Sequence, residues 1–238
     1  MNKKNKPIAI GYTKDDNFEF GEFYHLATAL ILKPELNYVL VGDRNCKISE
    51  NIVSFIKSFK SPNSTISSLD YNKQRNKYCY SNIGNTADIF KYYIGQYEKL
   101  SKVKDTFTSK IDDLIKDTQK DKIQERIKKL NLDTDSKKCF IWIRKGDYQP
   151  ERNISSIGLY QLENVLADFD IKTVFIGKSL GNIKKNETNL IDFFNDEPFD
   201  NYNILTQLYF YQVLIKEYNF LFSVGMKSGA MDGLAFAF

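Results

Sequence analysis

The sequence predicts an α/β chain in which parallel sheets are flanked by helices and arranged in two lobes. Three observations carry this. Short apolar runs of strand length alternate with longer segments of helical periodicity. The run over residues 139–143, Cys-Phe-Ile-Trp-Ile, has no polar alternation and so reads as a strand buried on both faces, as in a parallel sheet. A highly charged stretch ending at Lys138 separates an N-terminal lobe, residues 1–136, from a C-terminal lobe, residues 137–238.

In the first lobe, residues 7–12 form an apolar strand and residues 13–17 a polar loop. Phe20, Phe23, Ala27, Leu30 and Ile31 recur at helical spacing, which predicts a helix over 19–32 that stops before Pro34. Residues 37–41 make a second strand, closed by Gly42-Asp43. Ile52, Phe55, Ile56 and Phe59 mark one face of a helix over 48–59, and the Ser-rich stretch 61–68 holds a short strand around Thr65. This β-α-β-α order is a Rossmann-like half. A Tyr-rich helix follows over 87–100. Val103, Phe107, Ile111, Leu114 and Ile115, then Ile123, Ile127 and Leu130, form a narrow apolar stripe on one or two helices with a solvated outer face.

The second lobe reads as a strand over 139–144, a helix over 156–169 with Leu159, Leu162, Val165 and Leu166 inward, and a strand over 172–177. A long helix over 202–218, a strand over 220–224 and a helix over 228–236 complete it. Parallel strands with right-handed crossovers follow from that order. The end, Leu234-Ala-Phe-Ala-Phe238, is apolar and uncapped, so this lobe reads as truncated: either the natural chain continues or this end is covered.

Composition narrows the function. Lys and Arg number 34 against 30 Asp and Glu, a net charge of +4, which is too balanced to argue for nucleic acid. No run of about 18 apolar residues occurs, so no membrane span is expected. Cys46, Cys79 and Cys139 are scattered and odd in number, which fits a reducing, cytoplasmic location. His25 is the single histidine, so a multi-histidine metal site is excluded, and no metal is expected.

Candidate chemistry lies at three strand ends of the second lobe. Arg144, Lys145, Gly146 and Asp147 follow the first strand. Gly177, Lys178 and Ser179 follow the second, and Gly225, Lys227, Ser228 and Gly229 the third. In open parallel sheets ligands bind beyond the carboxyl ends of the strands. Glycines there permit close approach, Ser228-Gly229 opens a helix, and a guanidinium suits a phosphate. Asp147 is expected to hold Arg144 or cap the turn. Arg152 and Asn153 either reach the ligand or hold the loop.

Ile141-Trp-Ile-Arg144-Lys-Gly-Asp147 resembles the H-x-R-x-G-D motif of the fucosyltransferase superfamily (α1,2-, α1,6- and protein O-fucosyltransferases). Phe222-Ser-Val-Gly-Met-Lys-Ser228-Gly229 is similar to that superfamily's last phosphate-binding motif. The resemblance covers about residues 137–238. It implies a GT-B-like glycosyltransferase that is inverting and metal-independent and needs no cofactor. Its donor would be a nucleoside-diphosphate sugar, GDP-fucose by default, and its acceptor a glycan or protein hydroxyl. Arg144 would bind the donor diphosphate and stabilise its departure, with Ser228 as a further contact. Trp142 stands where the family has histidine, Lys145 where a second arginine is frequent, and no acidic residue follows the middle strand in 175–179.

Under that reading a general base is sought on the acceptor side, after the first strand. Asp15, Asp16, Glu19 and Glu22 stand there, with Asp16 and Glu22 preferred and His25 a further candidate. Two rivals remain: a nucleotide- or phosphosugar-binding module without chemistry, and an S-adenosylmethionine-dependent Rossmann enzyme. A dinucleotide enzyme is disfavoured because the first turn, Gly11-Tyr-Thr-Lys-Asp-Asp, lacks G-x-G-x-x-G.

Overall fold

The computed structural model describes residues 8–12, 28, 30–32, 38–42, 65–68, 79–81, 96–147, 150–178, 180, 190–191, 193 and 204–226. The chain divides into two compact units, Met1–Lys110 and Ile111–Phe238. Each has a four-stranded parallel sheet, so the α/β class holds in both.

In the first unit β1 (Ile8–Tyr12), β2 (Tyr38–Gly42), β3 (Thr65–Ser68) and β4 (Cys79–Ser81) lie in the order β3-β2-β1-β4. β1 and β2 match the apolar runs, and β3 matches the short strand expected around Thr65 in the Ser-rich stretch. β4 has no counterpart in the sequence reading, because Cys-Tyr-Ser is too short to show a period. Thr28 and Leu30–Leu32 are helical, inside the expected helix 19–32, and Thr28, Leu30 and Ile31 are buried. The expected helix 48–59 lies outside the described residues. Helix α1 (Tyr97–Leu114) merges the end of the expected helix 87–100 with the segment after it, since neither glycine nor proline interrupts it. Its stripe is as expected: Val103, Phe107 and Ile111 are fully buried, one turn apart.

The second unit contains α2 (Asp117–Lys128), β5 (Lys137–Ile143), α3 (Ser156–Ala167), β6 (Ile171–Gly177), β7 (Leu190–Ile191), α4 (Ile204–Glu217) and β8 (Phe220–Gly225). The strand order is β7-β6-β5-β8, the same pattern as in the first unit. The two-residue β7 was not anticipated, and the expected helix 228–236 lies outside the described residues. The sequence reading set the lobe division at 136/137, whereas α2 goes with the second unit because it packs against α4. Asn131, Asp170 and Asn219, with φ of 47°, 58° and 55°, turn the chain after α2, α3 and α4. Asn and Asp tolerate that left-handed conformation better than other non-glycine residues.

β5 is buried on both faces, as its unbroken apolar run requires. On one face Cys139, Ile141 and Ile143 pack with Leu159 and Leu166 of α3, with Leu162, Phe175 and Phe222 around them. Val165, expected inward, is instead 53% exposed, because α3 presents Leu162 and Leu166 to the sheet and turns Val165 away. On the other face Phe140 stacks on Phe220 at 4.0 Å and meets Tyr211 of α4 edge-on at 5.9 Å. Phe210 continues to Phe193, over which Arg126 of α2 lies at 4.3 Å. The result is helix, sheet, helix. β8 carries a bulge: Lys138 pairs with Phe220 but Cys139 with Phe222, leaving Leu221 as the extra, exposed residue.

Lys138 is buried at the start of β5. Its Nζ donates to the carbonyls of Asp133, Ser136 (2.8 Å) and Tyr218 (3.3 Å) and to Asp133 Oδ1 (3.2 Å). Tyr218 directly follows α4, so the ammonium sits at that helix's carbonyl end. Asp133 also accepts from the Ser136 N–H at 2.7 Å and from Lys172 at 3.0 Å. Ser136 first, then Lys172 and Lys138, hold the Asp133 carboxyl well below its ordinary 3.8. Lys138→Met should cost about 1–3 kcal/mol in urea unfolding, since the carbonyls lose their donor while the aliphatic length is kept. Because the folded pKa of Asp133 is depressed, its contribution is complete above roughly pH 5 and is lost as pH falls. Asp133→Asn should therefore flatten the acid limb of stability between about pH 5 and pH 2, measured by urea midpoints.

Candidate functional site

β5 has β6 on one side and β8 on the other; the chain steps outward from β5 to β6 and β7 and then returns through α4 to place β8 on the opposite side of β5. That is the topological switch point of this sheet, and ligands of open α/β sheets bind at its carboxyl edge. Ile143 is level with Gly177, and Trp142 with Ile176 and Gly225. Arg144–Asp147, Lys178 and Met226 therefore emerge at one edge. Lys227, Ser228 and Gly229 come directly after in sequence but lie outside the described residues, as do Asp15, Asp16, Glu19, Glu22 and His25.

Arg144 is half-buried and its Nη1 donates to Asn153 Oδ1 at 3.0 Å. The Gly146 N–H donates to the same oxygen at 3.1 Å, and Asn153 Nδ2 donates back to the Gly146 carbonyl at 3.0 Å. Asn153 is itself fixed by its neighbours. Its N–H donates to the Pro150 carbonyl at 2.9 Å across the 3-10 turn Pro150–Arg152. Ile154 packs on the core, and the Ser155 hydroxyl caps α3 by accepting the Gly158 N–H at 3.0 Å. Asp147, expected to hold Arg144 or the turn, is exposed, and Asn153 does both. The sequence signal for this was an asparagine between a proline turn and an N-cap serine, which reads equally as a plain loop residue.

The two glycines of this edge differ. Gly177 has φ of +108°, and a Cβ on it would meet the Ile143 carbonyl oxygen at 2.3 Å. Its need for glycine arises from the β5 backbone, to which the Lys178 N–H also donates at 3.2 Å. A Cβ on Gly146 would meet nothing within 4 Å, so that turn borders open space. Among the described residues, Arg144, Lys145 and Lys178 follow these strand ends with Asp147, a local excess of positive charge that suits an anion.

Burial pushes the Cys139 thiol up to about 11, so it is no nucleophile at neutral pH. Among the described residues no three His, Cys, Asp or Glu side chains converge on a point, and no helix is long and apolar enough to cross a membrane. No family model, curated protein or solved structure matches the chain. Gly177→Ala should destabilise by about 1–3 kcal/mol or more in urea unfolding, from left-handed strain plus the backbone clash. Gly146→Ala should stay within about 0.5 kcal/mol of the parent, as an unhindered surface change does.

Proposed function

We propose that the chain is a GT-B-like glycosyltransferase that transfers a sugar from a nucleoside-diphosphate donor to a glycan or protein hydroxyl. The observation that carries this reading is Arg144, held by Asn153 at the carboxyl edge of the buried central strand, beside the end of β8. Two further features support it. The same strand order recurs in both units, as two Rossmann-like lobes require. The residues 141–147 resemble the arginine motif of the fucosyltransferase superfamily. GDP-fucose is the default donor.

In this reaction the acceptor oxygen attacks the anomeric carbon from the face opposite the diphosphate. The bond from that carbon to the diphosphate oxygen breaks, its electron pair leaves with the phosphate, and the configuration inverts. The acceptor proton must pass to a general base, for which Asp16 and Glu22, after the first strand in the sequence, are the candidates. The developing phosphate charge is the main barrier. A prepositioned guanidinium stabilises it most where the charge is largest. Gly146, Asp147, Gly177, Lys178, Lys227, Ser228 and Gly229 complete the proposed donor edge, with Gly146 admitting the phosphate and the lysines adding charge. The reaction as drawn uses no metal.

A thermal-shift panel of GDP, UDP, dTDP, CMP and S-adenosylhomocysteine should show stabilisation by one nucleoside diphosphate. A response to S-adenosylhomocysteine alone would favour a methyl-transfer enzyme instead. With the matching donor sugar, Arg144→Ala should lose about 2–4 kcal/mol of transition-state stabilisation, read from kcat/KM. Tight donor binding with no transfer to any acceptor would make the chain a nucleotide- or phosphosugar-binding module.

A further inference from the structure

The pattern of hydrogen bonds around Asn153 fixes the identity of that side chain. Oδ1 takes two donors, Arg144 Nη1 and the Gly146 N–H, and so uses both lone pairs, while Nδ2 serves the Gly146 carbonyl. A flipped amide would set NH2 against both donors and oxygen against a carbonyl. An aspartate would satisfy the donors but face the Gly146 carbonyl with a second oxygen and bring a negative charge beside the guanidinium. We infer that Asn153 is the positioning residue of this site: it presets Arg144 and the Gly146 turn for a diphosphate while adding no charge of its own. The inference rests on the diphosphate reading of Arg144 given above.

The physical gain is preorganisation. A free arginine side chain is rich in rotamers, and ordering it on ligand arrival weakens binding. Here one end of the guanidinium is already held by a residue whose own backbone is fixed on both sides, by the Pro150 carbonyl and by the packed Ile154. The same amide closes the turn at Gly146, where open space borders the backbone. Asn153 therefore joins the cation to the turn that a phosphate would approach.

The test is calorimetric titration of the full 238-residue chain with GDP, UDP and inorganic pyrophosphate. Trp142, the single tryptophan, lies two residues before Arg144, and its emission reports whether the strand end is intact in each variant. Asn153→Ala is expected to weaken diphosphate binding by about 3- to 10-fold, the size of one side chain's ordering. In an Arg144→Lys background, which keeps the charge but lacks the guanidinium fork, the same change should weaken it by less than about 2-fold. Parent-like binding by Asn153→Ala overturns the inference alone, as does an undiminished effect in the Arg144→Lys background. If the parent binds none of the three probes, or Arg144→Ala binds as the parent does, the diphosphate reading falls and takes the inference with it. Should Asn153→Ala fail to fold, Asn153→Asp carries the test. It keeps the acceptor toward Arg144 and is expected to weaken GDP binding by about 10-fold at low salt and by less at high salt. Parent-like binding by that variant overturns the role of a neutral holder.

Discussion

The second unit depends on the burial of β5 from both sides. A strand with no polar alternation cannot face water on either surface, so it must be central, and helices must cover both faces. Cys139, Ile141 and Ile143 recruit α3, and Phe140 recruits α4 through Tyr211. With β5 central, its neighbours on the two sides come from different crossovers, and the carboxyl edge opens between them. The position of Arg144 follows: it is the first residue that the core no longer holds.

The two ends of β5 solve opposite problems. At the amino end a buried ammonium is surrounded by carbonyls and one carboxylate, so the charge is satisfied by the protein itself. That network joins the loop before β5 to the end of α4 and is a structural clamp. At the carboxyl end a half-buried cation is held by an uncharged amide. The first arrangement surrounds its cation with carbonyls and a carboxylate, whereas in the second a contact to the cation comes from a neutral amide.

Much of this was legible in the sequence. The strands β1, β2, β5, β6 and β8 are apolar runs of sufficient length, and the stripe Val103, Phe107, Ile111 gave α1 its buried face. β4 and β7 were not legible, since three- and two-residue strands are defined by their partners in the sheet and carry no pattern of their own. Val165 misled because its apolar character says nothing of its angle on α3 relative to Leu162 and Leu166. At the site, Arg144 and Gly146 stood out as the abrupt end of an apolar run. Asn153 was legible only as a residue that either reaches a ligand or holds the loop, because its role is set by three hydrogen bonds to residues that the folded loop brings near. Gly177 has a packing reason that the sequence does not display: its missing side chain accommodates the Ile143 carbonyl.

The bulge at Leu221 acts at a distance. Phe220 and Phe222 are two apart and would share one face of an unbroken strand. The extra residue reverses the phase, so Phe220 stacks on Phe140 while Phe222 joins the α3 side. The reversal persists to the end of β8, where Gly225 rather than Val224 falls level with Trp142. A single inserted residue at the foot of the strand thus decides that a glycine, rather than a valine, pairs with Trp142 at its head.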